Sequence, residues 1–121
     1  MVKLKRVYDQ PEKTDGKRVL VDRLWPRGVR KEDGGFDLWL KDIAPSNDLR
    51  KWFSHDPSKW QEFRKRYRDE LKDKPGMIED LKKMARLGTV TLLYAAKDAD
   101  RNNAVVLKEM LEEQGRGHIP A

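Results

Sequence analysis

The sequence predicts one α/β domain over residues 1–121: a small, mostly parallel sheet of three or four strands with helices packed around it. Three observations predict it. The apolar runs at 19–21 and 92–96 do not alternate with polar residues, as expected for parallel strands covered on both faces. A long stretch of helical periodicity separates them, enough for the crossover that parallel strands require. A length of 121 residues suits one compact core.

Val2 to Tyr8 alternates loosely between apolar and polar and reads as the first strand. Pro11, Asp15 and Gly16 mark a connecting loop. Residues 18–24, rich in Val and Leu, read as the second strand, stopped by Pro26, with Gly28 free to turn the chain. A charged loop over 28–35 leads to a short helix predicted from Phe36 to Ile43, carrying Trp39, Leu40 and Ile43. Ser46 caps the next helix, which brings Leu49, Trp52 and Phe53 to one side. Asp56-Pro57 restarts the chain as a cap followed by a first-turn proline. From there to about residue 72, Trp60, Phe63, Tyr67 and Leu71 recur every three or four positions as one stripe. Lys74-Pro75-Gly76 reads as a stop, and 77–87 as a further helix with Gly88 after its end. Residues 89–96 form the third strand, and Asn102 caps a last helix carrying Val105, Val106, Met110 and Leu111.

Charged residues make up 40% of the chain and the apolar set 37%, so large aromatics must help fill the core. Net charge is +6, with a pI near 9.6, which favours anionic partners: phosphorylated small molecules, nucleotides or nucleic acid. The bland alternative is a solvated surface, since 21 acidic residues stand against 27 basic ones. There is no cysteine, which excludes disulfides, thiolate nucleophiles and Cys-based metal sites. No segment approaches the roughly 18 apolar residues of a membrane span, and no signal-peptide pattern opens the chain. The expected location is the cytosol, with no membrane partner.

Both apolar strands run into a burst of charge. In open α/β sheets, ligands bind beyond the carboxyl ends of the strands. The second strand leads to Asp22, Arg23, Trp25 and Arg27; the third leads to Lys97, Asp98, Arg101, Asn102 and Asn103. Guanidinium groups offer a planar fork of donors for phosphate or carboxylate oxygens. If the two strands are parallel neighbours, Arg23, Arg27, Lys97 and Arg101 converge into an anion site. The competing reading is a structural network in which Asp22 and Asp98 pair with these cations. The start of the last helix, at Asn102 and Asn103, adds free N–H groups or serves as an ordinary cap. Trp25 is the candidate ligand platform. Asp22 and Asp98 are the carboxylates placed to move a proton. A carboxylate pair with substrate phosphates is also how Mg²⁺ is held, but no metal or cofactor motif is present, and neither is expected. His55, just before the Asp56 cap, reads as a staple against Trp60; His118 lies in an uninterpretable tail. Lys59, Arg64, Lys65, Arg66 and Arg68 give the helix over 57–72 a basic face, interrupted by Glu62, Asp69 and Glu70. That face reads either as solvated or as a nucleic-acid surface. The alternative to a small-anion site is thus a non-enzymatic nucleic-acid-binding module.

The phrases Val-Asp-Arg-Leu-Trp-Pro-Arg-Gly (21–28), Trp-Leu-Lys-Asp-Ile-Ala-Pro-Ser (39–46), Leu-Arg-Lys-Trp-Phe-Ser-His-Asp-Pro (49–57), Leu-Leu-Tyr-Ala-Ala-Lys-Asp (92–98) and Asn102-Asn103-Ala104-Val105-Val106-Leu107 resemble the YeaO-like branch of the domain-of-unknown-function family 488. The likeness runs nearly end to end. It implies a small cytosolic bacterial or archaeal α/β protein of a family with no established activity. It also places weight on Asp22, Arg23, Pro26, Arg27, Lys97, Asp98 and Asn103 as motif positions. Longer relatives carry a Cys and a Cys-His pair in the stretch resembling 94–103. Here Tyr94 and Asn102-Asn103 stand instead, so thiol chemistry does not carry over.

Overall fold

The computed structural model describes residues 1–30 and 35–117. Four parallel strands, β1 (Val2–Arg6), β2 (Lys17–Leu20), β3 (Leu38–Trp39) and β4 (Val90–Tyr94), form one sheet in the order β1-β4-β2-β3. Four helices pack around it: α1 (Asn47–Phe53), α2 (Trp60–Leu71), α3 (Pro75–Leu87) and α4 (Asn103–Gly117). The predicted α/β class and parallel sheet are therefore present. β2 and β4 are parallel neighbours, with Leu20 opposite Leu93.

The strand ends decide where the charged residues lie. The Val7 N–H still donates to the Tyr94 carbonyl at 2.8 Å, and the Val21 N–H to Leu93 at 3.1 Å. Beyond Val21 the second strand leaves the sheet, so the predicted run over 18–24 ends early and its charged residues belong to a loop.

The largest departure from expectation is the stretch 36–43, predicted as a helix. Leu38–Trp39 is instead an edge strand beside Val19 and Leu20, followed by a 3₁₀ turn over Lys41–Ile43. Tertiary pairing explains it. The open edge of β2 needs partners for its backbone. The Asp37 N–H donates to Arg18 at 2.8 Å and the Leu40 N–H to Leu20 at 2.9 Å. The 57–72 helix begins as a 3₁₀ turn at Pro57–Lys59 before α2 proper. Pro75 opens α3 as its first residue rather than stopping the chain, the role that proline's fixed φ and missing donor suit. Gly88, with φ 173°, ends α3 in extended backbone rather than in a left-handed cap.

Period-two alternation divides the sheet. Val90, Leu92 and Tyr94 join Val19 and Val21 in the main core, with Phe53 (α1), Phe63, Tyr67 and Leu71 (α2), Leu81 (α3) and Leu107 (α4). On the other face Leu20 and Leu93 form a small cluster with Val7, flanked by Phe36 and Trp39. The rest of that face is polar. Buried Asp15 pairs with Arg18 at 2.5 Å and with Lys5 at 3.2 Å, and the Thr91 hydroxyl donates to the Asp15 carbonyl at 2.7 Å. Burial pushes the Asp15 carboxyl up, but the Glu12 N–H and the Lys5 and Arg18 side chains outweigh it and hold it below the usual range. Gly16, at φ +63°, sits beside this network. An added Cβ there would lie 2.2 Å from the Thr89 carbonyl oxygen, so only glycine fits. Among the described residues no helix is long and apolar enough to cross a membrane.

Candidate functional site

An open cleft of ≈ 720 Å³ lies beyond the carboxyl ends of β2 and β4, closed on one side by α1 and at its base by the start of α4. That volume falls in the range of small-ligand sites. The loop after β2 contributes Asp22, Arg23, Trp25 and Arg27, and α4 contributes Asn102 and Asn103. All six belong to the set read from the sequence. The remaining three, Lys97, Asp98 and Arg101, lie outside it. Asp98 accepts from the N–H groups of Asp100 and Arg101 and pairs with the Arg101 guanidinium at 3.1 Å. Those hydrogen bonds, the Asp100 N–H first, hold its carboxyl below the usual range. The 98–101 turn is thus a self-contained charge pair, and Lys97 is exposed beside it. Asp22 and Asp98 are not brought to one cleft.

Each residue on the cleft has a local reason for its place. After Val21 the chain turns so that the Asp22 carboxylate accepts the Ala95 N–H at 2.9 Å, tying the ends of the two central strands together. Asn103 Nδ2 donates to the Val21 carbonyl at 2.9 Å, and its amide favours the charged form of the neighbouring Asp22. Asn102 is the cap of α4: its Oδ1 accepts the Val105 N–H at 3.1 Å while its amide donates to the Asp98 carbonyl. Pro26 is buried, the Val29 N–H closes a turn onto it, and Gly28 takes φ +79°, so the loop presenting Arg27 is shaped by its own residues. Trp25 is 37% exposed. Its indole lies 5.3 Å from both Phe36 and Trp39 and donates to the Val29 carbonyl. One face is thereby fixed by neighbouring rings while part of the ring stays open to the cleft.

The cations differ in what they are free to do. Arg23 donates to the carbonyls of Pro45 (3.2 Å) and Ala44 (3.3 Å), so it braces the cleft wall. The exposed Arg27 uses its carbonyl to accept the Tyr8 hydroxyl at 2.9 Å. Arg50 and Lys51 of α1 also line the cleft. Arg50 makes a long contact to Asn47 Oδ1 at 3.4 Å, and its Nε is shut from solvent without a hydrogen-bond partner.

The sequence reading missed the contribution of α1 and the turn after it. Ser54 and His55 both adopt left-handed backbone, φ 46° and 56°, a conformation that costs non-glycine residues roughly 1–2 kcal/mol each. That geometry turns the chain between the end of α1 and the Asp56 cap and places both residues on the cleft. The His55 ring lies 6.2 Å from Phe53, while Trp60 packs on Phe53 and Phe63, so His55 lines the cleft instead of stapling Trp60. The signal was present: the motif over 49–57 runs through Arg50, Lys51 and His55 without a break. His118 lies outside the described residues.

Asp22 is the one carboxylate among the described residues that line the cleft, and no ion pair to it occurs among them. Burial pushes its carboxyl above the usual range, against the Ala95 N–H, the Asn103 amide and the charge of His55, which pull it down. No group of three metal-ligating side chains occurs among the described residues.

The basic face of α2 has a different fate. Arg64 and Arg68 pair with Glu109 at 2.9 and 3.4 Å, Arg68 also with Glu113, and Arg66 with Glu62 at 2.9 Å. Arg66 and Lys59 lie over the Trp52 ring. These cations fasten α2 to α4 and to α1.

The family model for DUF488-N3i, described as "Inactive DUF488-N3 subclade", matches residues 1–118. The chain is similar to an uncharacterized protein of Mycobacterium tuberculosis, 43% identical over 110 residues that cover 91% of this chain and 92% of the relative. It is similar as well to the uncharacterized protein YeaO of Escherichia coli (strain K12), 44% identical over 110 residues, 91% of this chain and 96% of the relative. No solved structure is significantly similar. The chain belongs to the DUF488-N3i family.

Proposed function

We propose that the cleft binds a small anionic molecule, a phosphate ester or nucleotide, without turning it over. One observation carries the reading: Arg27, Arg50, Lys51 and His55 share a cleft whose lining, among the described residues, holds a single carboxylate. Guanidinium and ammonium groups lining such a cleft offer charge-assisted hydrogen bonds to an anion. Arg23 braces the wall, Trp25 offers a ring face, and Asn102 and Asn103 bring the amino end of α4 to the cleft. Binding without turnover is favoured by the word "Inactive" in the family's description. The pairing of the α2 cations with Glu62, Glu109 and Glu113 favours this cleft over the α2 face as the place where an anion meets the protein.

Thermal unfolding in the presence of inorganic phosphate, AMP and short oligonucleotides tests it. A ligand at a hundred times its Kd stabilises by about 2.7 kcal/mol. Wild type and Arg68→Ala are expected to respond alike to phosphate and AMP, whereas Arg27→Ala and Arg50→Met lose the response. A response to oligonucleotides alone, abolished by Arg68→Ala, would replace this reading with the α2 surface.

A further inference from the structure

We infer that Asp22 reads a hydroxyl group of the ligand, so that the cleft selects hydroxylated phosphate esters, of the sugar-phosphate or ribonucleotide kind, over phosphate esters that lack hydroxyls. The inference rests on the anion-binding reading and goes beyond it by naming the substrate class.

Among the described residues four Lys or Arg side chains line the cleft, yet none of them forms an ion pair with Asp22. Arg23, its neighbour in sequence, donates to Ala44 and Pro45 instead. Among the described residues the Asp22 carboxylate accepts the Ala95 N–H, and the Asn103 amide and the charge of His55 also favour its ionised form. An ionised carboxylate offers about four acceptor sites, so these partners leave acceptor capacity at the cleft. The partly buried setting makes that capacity expensive to leave unused, and burial indeed works against the charged form here.

A second phosphate oxygen is the wrong partner for this position, because anion would face anion. A hydroxyl is the right one. It is a neutral donor, it sits a few bonds from the phosphate in a sugar phosphate, and it tolerates the nearby cations. The layout of the cleft matches such a molecule. Arg27 comes from the loop after β2, Arg50 and Lys51 from α1 and His55 from the turn that follows it, whereas Asp22 opens the β2 loop against the end of β4 and Asn103 opens α4. A ligand spanning both presents its phosphate to the first group and its hydroxyls to the second. Sites built to hydrogen-bond a hydroxyl discriminate strongly against analogues lacking it, because the site's own polar group is then left unpaired.

Calorimetric titration of the full chain with ribose 5-phosphate and with pentyl phosphate, both five-carbon phosphate monoesters, tests the inference. Wild type is expected to bind ribose 5-phosphate at least about tenfold more tightly, the order expected for one hydrogen bond to a charged group. Asp22→Asn keeps an acceptor for the Ala95 N–H but removes the charge that strengthens the hydroxyl contact. It is expected to shrink the ratio to about threefold or less while pentyl phosphate binds as well as before or better, since a carboxylate near the anion is gone. A ratio near one in wild type overturns the inference whether or not Asp22→Asn folds. So does an unchanged ratio in the variant. In both cases Arg50-dependent binding of pentyl phosphate would leave the anion-site reading standing. Failure of both esters and of inorganic phosphate to bind would remove that reading and this one together.

Discussion

Tyr67→Phe isolates the bond that fixes the wall of the cleft. The Tyr67 ring is fully buried in α2, and its hydroxyl donates to the Ile43 carbonyl at 2.7 Å. Ile43 is itself fully buried, and the next two residues, Ala44 and Pro45, line the cleft and accept from Arg23. Phenylalanine fills the same space, so the change removes one hydrogen bond and leaves a buried carbonyl without its donor. The expected loss is about 1–3 kcal/mol. For a chain of 121 residues, each kcal/mol lowers Tm by about 4 °C, so a fall of roughly 4–12 °C is expected. Urea unfolding provides the assay: the midpoint should fall with the slope m unchanged, since the surface exposed on unfolding is the same. A loss below about 0.3 kcal/mol would refute the reasoning, because the Ile43 carbonyl would then find another donor at no cost.

Three further predictions address separate parts of the structure. Gly16→Ala places a methyl group against the Thr89 carbonyl at a left-handed residue and should cost at least about 2–3 kcal/mol in urea unfolding. Asp22→Asn should raise stability at neutral pH. The Asp22 carboxyl titrates above its unfolded value because of burial, so the folded state holds its proton longer and wild type loses stability as pH rises through the folded pKa. The gain of the variant over wild type should therefore vanish as pH is lowered below the unfolded carboxylate range, as read from unfolding curves across pH. The pair of Arg64 with Glu109, partly exposed, should show a coupling of only about 0.2–1 kcal/mol in a double-mutant cycle, shrinking with added salt.

The sequence was informative where a period was long and uninterrupted. The stripe of Trp60, Phe63, Tyr67 and Leu71 spans α2 and could belong only to a helix. The apolar runs of β2 and β4 read as strands covered on both faces, and the helices between them pointed to the parallel crossover that the sheet shows. Residues 36–43 were opaque because Leu38–Trp39 forms a strand on account of β2, not of itself; two residues carry no period. Pro75 was ambiguous for a different reason. Proline ends one helix and begins another with equal ease, and only the helical residues after it decide.

At the site, the rule that ligands gather beyond strand ends located the cleft, but not its composition. Lys97 and Arg101 follow β4 as closely as Arg23 and Arg27 follow β2, yet Asp98 and Arg101 close on each other and turn that charge aside. In place of those two cations stand Arg50 and Lys51, from the polar side of a seven-residue helix whose apolar side alone attracts notice in sequence. The polar bolt behind them was equally hidden: Glu70 of α2 accepts from both the backbone N–H and the hydroxyl of Ser46, at 2.8 and 2.5 Å, while the same hydroxyl accepts the Leu49 N–H to cap α1. One acidic residue on α2 thereby fixes the helix that carries Arg50.

The distribution of charge differs between α2 and the cleft. On α2 the arginines face Glu62, Glu109 and Glu113, so their field is cancelled at contact range. On the cleft the ratio is reversed: among the described residues one carboxylate lies with Arg23, Arg27, Arg50, Lys51 and His55. A net charge of +6 does not distinguish one surface from another; the anion-site proposal rests on where acidic partners are withdrawn. Under the proposed reading Asp22 is the residue to explain, because among the described residues it lies beside Lys and Arg side chains and forms an ion pair with none of them.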